Sequence, residues 1–234
     1  MEHKLADMKP SKNDINMVIM DYLISEGYPA AAEKFAEETN LVQNNAADLK
    51  RSINERVKIR GAIYTGKMDE AIHMINELDA EILDQNRTLH FQLLQLQLIE
   101  IIRAVLDSSA NPNAVEFRPA LDFATQQLAP HAPTDPKHLK DLEKTMALMI
   151  FKPDKMGPEM KELLDPRLRE KVAADVNKAI LASQGRAPEA RIKQLVRARA
   201  WAEAQAREAQ IPMPEKISIG LDGENAADED EAMS

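Results

Sequence analysis

The chain of 234 residues is 44% hydrophobic and carries 39 acidic against 30 basic side chains, a formal charge of −9. That apolar content suffices for one domain or two small ones, and the lack of cysteine excludes disulfides, thiol nucleophiles and thiolate metal sites. Six acids (Asp222, Glu224, Asp228, Glu229, Asp230 and Glu231) lie in the last thirteen residues; without them the body carries about −3 and no broad basic footprint for nucleic acid.

The opening MEHKLADMKPSKND is polar and lacks the apolar stretch of a secretion signal. No apolar run reaches eighteen residues, so no membrane span is expected. The expected compartments are cytoplasm and nucleus.

Spacings of three and four recur throughout, and few segments alternate with period two, which predicts an all-α fold. The first unit, residues 12–42, contains INMVIMDYLISEGYPAAAEKFAEETN: two short helices joined at Gly27-Tyr28-Pro29. Ile15, Ile19, Tyr22 and Leu23 form one stripe, while Met17, Val18, Met20 and Ile24 fall largely elsewhere. That belt is wider than one partner helix needs. A unit below ~40 residues rarely buries enough surface to fold alone; with no cysteine to staple it, the surplus arc calls for a second copy or a returning segment.

After the polar junction NLVQNNAAD, residues 48–106 carry a stripe of Leu49, Ile53, Arg56 or Val57, and Ile63. Met68, Ile72, Ile75 and Leu78 continue it past the Thr65-Gly66 turn. TLHFQLLQLQLIEIIRAVLD, broken by polar residues such as His90, Gln95 and Glu100, reads as a buried helix. DSSANPNA then opens residues 113–210. There Phe117, Leu121, Ala124 and Leu128 form a face, and Asp135-Pro136 caps a helix presenting Leu139, Leu142, Met146, Met149 and Ile150. Asp165-Pro166 repeats that opening before Leu168, Val172, Val176 and Ile180, and Gly185 suits a left-handed stop. An alanine- and arginine-rich helix follows from about Pro188 to Gln210, and residues 211–234 read as a disordered acidic tail.

Chemistry is sparse. The five histidines show no metal-ligand spacing, phosphate-binding glycine loops are missing, and the many carboxylates sit on regular helices as solvated faces. No catalytic, cofactor-binding or metal-binding residue is assigned, and an enzyme is not expected. The basic residues of the last helix (Arg191, Lys193, Arg197, Arg199 and Arg207) could touch phosphate. The simpler reading docks that helix through Ile192, Leu195 and Val196, with Trp201 as a packing anchor. The methionines, Met17 among them, read as core filling.

Tyr22-Leu23, Gly27-Tyr28, Ala32 and Phe35 resemble the LisH motif, a dimerising helix pair, with Ala31 standing where a serine or threonine is common. Asp48 to Arg103 resembles the CTLH motif through Ile63, Gly66, Asp69-Glu70-Ala71-Ile72, Phe91, Leu94, Gln97 and Ile99-Glu100-Ile101-Ile102. Ala120-Leu121, Ala124, Leu128, LEKTMALMIF and the helices from Leu163 to Ile180 resemble a CRA domain. Together these are similar to the LisH–CTLH–CRA scaffold subunits of the GID/CTLH ubiquitin-ligase complex.

The resemblance implies an elongated helical scaffold in which the last CRA helices return to LisH and CTLH pairs with the first part of CRA. It implies sister subunits as partners, including RING-type and substrate-receptor subunits, with a homodimer through LisH; neither nucleic acid nor a membrane is expected. On that reading the interaction residues are Ile19, Tyr22, Leu23 and Phe35 on LisH, and Phe91, Leu94, Leu98 and Ile102 on CTLH, with core packing the alternative for each. The rival function is a LisH-type dimeric adaptor in transcription or nuclear signalling.

Overall fold

A computed structural model describes residues 10–41, 46–109, 112–131, 135–151 and 155–212. Among them the ordered elements are helical, with no strand: α1 Lys12–Glu26, α2 Pro29–Thr39, α3 Ala46–Tyr64, α4 Met68–Leu78, α5 Glu81–Gln85, α6 Arg87–Ser108, α7 Arg118–Phe123, α8 Pro136–Ala147, α9 Pro158–Leu163, α10 Arg167–Ser183 and α11 Arg191–Glu208. The expected all-α class is what forms. Two compact units divide after Arg191. The acidic run expected to be disordered lies outside the described residues.

Local chemistry sets the ends. Ser11 and Asp14 close a capping box at the start of α1, each accepting the other's backbone N–H at 3.1 Å. Gly27 stops that helix in the left-handed region at φ 82°, and Tyr28 N–H reaches back to the Leu23 carbonyl at 2.9 Å. Asn86 caps α6 by accepting from Leu89 N–H at 3.0 Å, and Asp135 caps α8 by accepting from Lys137 N–H at 2.8 Å. Past Phe123 the chain widens into a π turn, Ala124–Leu128, which extends α7.

α6 is the central element of the compact unit that ends at Arg191, and its two faces explain the layout. At 3.6 residues per turn, Leu89, Leu93 and Leu96 fall on one side and Phe91, Leu94, Leu98 and Ile102 on the other. The first set packs with Ile59, Ile63, Ala71 and Ile75 of α3 and α4, and with Val172, Val176 and Ile180 of α10. The second packs with Phe117, Ala120, Ala124, Leu128, Leu148 and Met156. A third, smaller core gathers Met20, Ile24, Ala32 and Ile53 beneath α1 and α2. By length and composition α6 could cross a bilayer, but its apolar residues are spent on these two cores.

α10 therefore returns from residues 113–210 to complete the core shared by α3, α4 and α6, while the far face of α6 is covered by the segment that follows it. Polar links reinforce both pairings. Gln97 Nε2 donates to Asp69 Oδ1 at 2.5 Å, joining α6 to α4, and Gln95 Nε2 donates to Thr145 Oγ1 at 2.9 Å, joining α6 to α8. Some expected faces stay outside: Leu121, Leu139 and Ile150 are exposed, while Leu142 and Met146 of α8, and Leu148 and Met149 just past its end at Ala147, pack on the second core.

Candidate assembly surfaces

α1 carries apolar residues around most of its circumference, and α2 and α3 cover only part of them. Met20 and Ile24 are buried against Ala32 and Ile53, and Leu23 and Phe35 pack at the margin of that core. Ile15, Ile19 and Tyr22 repeat at i, i+4 and i+7 on the uncovered side, with exposures of 48%, 37% and 36%. Tyr28 extends the patch at 49%, its ring 6.3 Å from that of Tyr22. Met17, read as core filling, is 47% exposed instead. Fully covering a side chain of this size is worth roughly 1.5–3 kcal/mol, so a partner closing over this arc would gain several kcal/mol.

Of the four LisH residues singled out from sequence, Ile19 and Tyr22 thus lie at the surface, while Leu23 and Phe35 are shared with the third core. The four CTLH residues lie elsewhere. Phe91, Leu94, Leu98 and Ile102 are all buried inside the chain's own second core, where the segment after α6 covers them. Among the described residues of that later segment, Val115, Leu121, Leu139, Ile150 and Phe151 are large apolar side chains left exposed.

The carbonyl end of α1 is held by polar side chains. Arg56 of α3, only 3% exposed, donates from Nη2 to the Ile24 carbonyl at 2.7 Å and from Nη1 to the Ser25 carbonyl at 3.3 Å. Arg60 Nη1 donates to the Glu26 carbonyl at 2.7 Å. Asn177 of α10 donates from Nδ2 to the Ser25 carbonyl at 3.2 Å and accepts from Arg56 Nη1 at 2.9 Å. Burial, and then the charges of Arg186 and Arg60, push the Arg56 guanidinium down to about 10, which leaves it charged at neutral pH. Sequence reading had the signal for this residue, an arginine in an otherwise apolar stripe, without the meaning; nothing in the sequence marked Asn177.

Between α2 and α3 lies a groove of about 540 Å³ with Ala32, Ala36, Leu41, Leu49 and Ile53 in its walls. Lys50 and Glu33 pair across it at 2.8 Å. Among the histidines, His138 is buried and stacked on Phe91 with ring centroids 4.3 Å apart. His90 and His131 rings lie 5.3 Å apart, and burial, followed by the His131 charge, holds the His90 imidazole below its usual range. Among the described residues no cluster of histidine and carboxylate is placed to hold a metal.

The second unit, from Ile192, is dominated by α11. Ile192, Leu195, Val196 and Trp201, expected to dock and anchor this helix, are exposed. Arg199 Nε donates to Glu203 Oε1 at 2.6 Å, an i,i+4 pair along the helix surface.

Comparison with known proteins adds to this geometry. The profile of a family described as CTLH/CRA C-terminal to LisH motif domain matches residues 52–207, and the LisH profile matches residues 13–39. The chain is 38% identical over 204 residues to a glucose-induced degradation protein 8 homolog of Dictyostelium discoideum, covering 87% of this chain and 83% of that protein. It is 39% identical over 206 residues to GID complex subunit 8 of Schizosaccharomyces pombe, covering 88% and 84%. With a GID8 homolog of Arabidopsis thaliana it shares 37% identity over 220 residues, covering 94% and 85%.

Proposed function

Since the chain belongs to the LisH- and CTLH-bearing family of GID complex subunits, we propose that it is a non-catalytic scaffold joining RING-bearing and substrate-receptor subunits of a GID/CTLH-type ubiquitin ligase. In this reading it supports proteasomal degradation of target proteins in the cytoplasm and nucleus. The observation that carries it is the uncovered arc of α1. Ile15, Ile19, Tyr22 and Tyr28 are left at the surface of a helix pair whose own core is small. A LisH helix pair of a sister subunit, or of a second copy, would cover that arc. Leu121, Leu139, Ile150 and Phe151 are further exposed apolar side chains in the segment after α6. Apolar burial would supply the affinity and the charged rims the specificity.

Tagged wild type and Tyr22→Asp, purified gently from source cells, test this. RING-bearing LisH–CTLH subunits should co-purify with wild type, and a subset should be lost with the variant. Tyr22 suits the test better than Leu23, which also packs against the third core. Recovery of transcription factors without any RING-bearing subunit would replace the scaffold reading by the adaptor.

A further inference from the structure

The last turn of α1 contains no basic residue of its own to meet its carbonyl end. Instead the carbonyls of Ile24, Ser25 and Glu26 are each held by a side chain of another helix: Arg56 and Arg60 from α3, and Asn177 from α10. These contacts link positions distant in sequence, with Asn177 lying 152 residues beyond Ser25. Arg56 and Ser25 are both buried, and among the described residues no carboxylate pairs with Arg56.

A guanidinium buried without a counter-ion is an expensive way to fasten two helices. Ile53 and Val57, on the same helix, already supply apolar adhesion. What an apolar contact does not fix is angle, since hydrophobic surfaces of similar shape repack with little loss. A planar fork does fix it, because its donors meet two successive carbonyls and the Asn177 amide oxygen in one relative orientation only.

We infer that Arg56, with Asn177, is a positioning residue that sets the angle at which the α1–α2 pair is carried on the helical body. Because one of the two belongs to α10, the angle is defined only in a chain whose return helix has docked. The uncovered arc of α1 is therefore presented in one orientation by the completed fold and in many by an incomplete one. The consequence for partner geometry rests on the scaffold reading; the angular constraint itself does not.

The cysteine-free sequence permits a direct measurement. Spin labels on Asn13→Cys of α1 and Ala104→Cys of α6, both exposed sites, report the distance between the two elements by pulsed electron spin resonance. Labelled chain is diluted with unlabelled chain so that only intramolecular pairs contribute. The background with intact Arg56 and Asn177 should give one narrow distribution. Arg56→Lys, which keeps the charge and loses the fork, and Asn177→Ala should each broaden or shift it while circular dichroism retains the full helical signal. Distributions unchanged in the folded variants would overturn the inference. Should Arg56→Lys fail to fold, Asn177→Ala alone decides, since it removes only one arm of the arrangement. No partner enters the measurement, so its failure is separable from failure to co-purify sister subunits.

Discussion

Glu100 of α6 accepts a paired hydrogen bond from Arg169 of α10, Nε to Oε1 at 2.8 Å and Nη2 to Oε2 at 2.5 Å. Arg103 approaches the same carboxylate at 2.7 Å and holds the Leu164 carbonyl at 3.0 Å, while Arg169 Nη1 donates to the Tyr64 carbonyl at 3.1 Å. One acid thus ties the return helix, the turn before it and the end of α3 to the central helix.

This arrangement predicts an acid-sensitive stability. Burial alone would raise the Glu100 carboxyl, but the Arg169 hydrogen bonds and the charges of Arg103 and Arg169 outweigh it and hold the group below its ordinary value of 4.5. A depressed folded-state value means stabilisation that is fully present above pH 4.5 and lost as pH falls through the lowered value. Glu100→Gln should lose about 2 kcal/mol at neutral pH and show a shallower decline below pH 4.5 than wild type. Urea titrations of both proteins at pH 7 and across the acid limb check this; parallel curves would deny Glu100 the role.

Two glycines separate backbone need from open space. Gly27 sits at φ 82°, and a Cβ there would meet Val57 Cγ2 at 3.1 Å. Gly61, within α3, has nothing near its missing side chain. Gly27→Ala should cost about 1–2 kcal/mol or more from the left-handed backbone alone. Gly61→Ala should add roughly 0.5–1 kcal/mol by restoring helix propensity. Denaturation midpoints moving in opposite directions are the expected result.

The fold class was legible because helical spacing persists along nearly the whole chain and its ends carry recognisable stops such as Gly27, Gly66 and Gly185. The site was less so. Periodicity identified the stripe of Ile15, Ile19 and Tyr22 but not which residues of the belt α3 would cover, since that depends on a helix tens of residues away. Phe91, Leu94, Leu98 and Ile102 illustrate the same limit: one apolar helix face reads alike whether its cover comes from the same chain or from another. Arg56 broke an apolar stripe visibly, but its acceptors are backbone carbonyls, which leave no trace in a sequence.

That ambiguity on α6 has a thermodynamic signature. Leu98 is fully buried among Ile102, Phe117 and Ala124 in the chain's own second core. Leu98→Ala should therefore destabilise the isolated chain by about 2–5 kcal/mol through lost burial and the cavity left behind. A residue serving only a partner would leave the isolated chain's melting unchanged. Thermal denaturation of wild type and variant without partners is the deciding measurement.

The α1 arc predicts a different pattern. Ile15 is 48% and Ile19 37% exposed, so replacing both by serine removes only part of the burial that a core isoleucine would lose. Each substitution should cost roughly 1–2 kcal/mol in the isolated chain, and it lowers the surface's aversion to water. Association should respond more strongly, because both positions belong to the stripe that a covering helix pair would desolvate. Sedimentation and co-purification should show loss of the bound partner or second copy, while the isolated double variant still folds cooperatively with a lowered melting temperature. A folded double variant that retains every partner would show that assembly uses another surface.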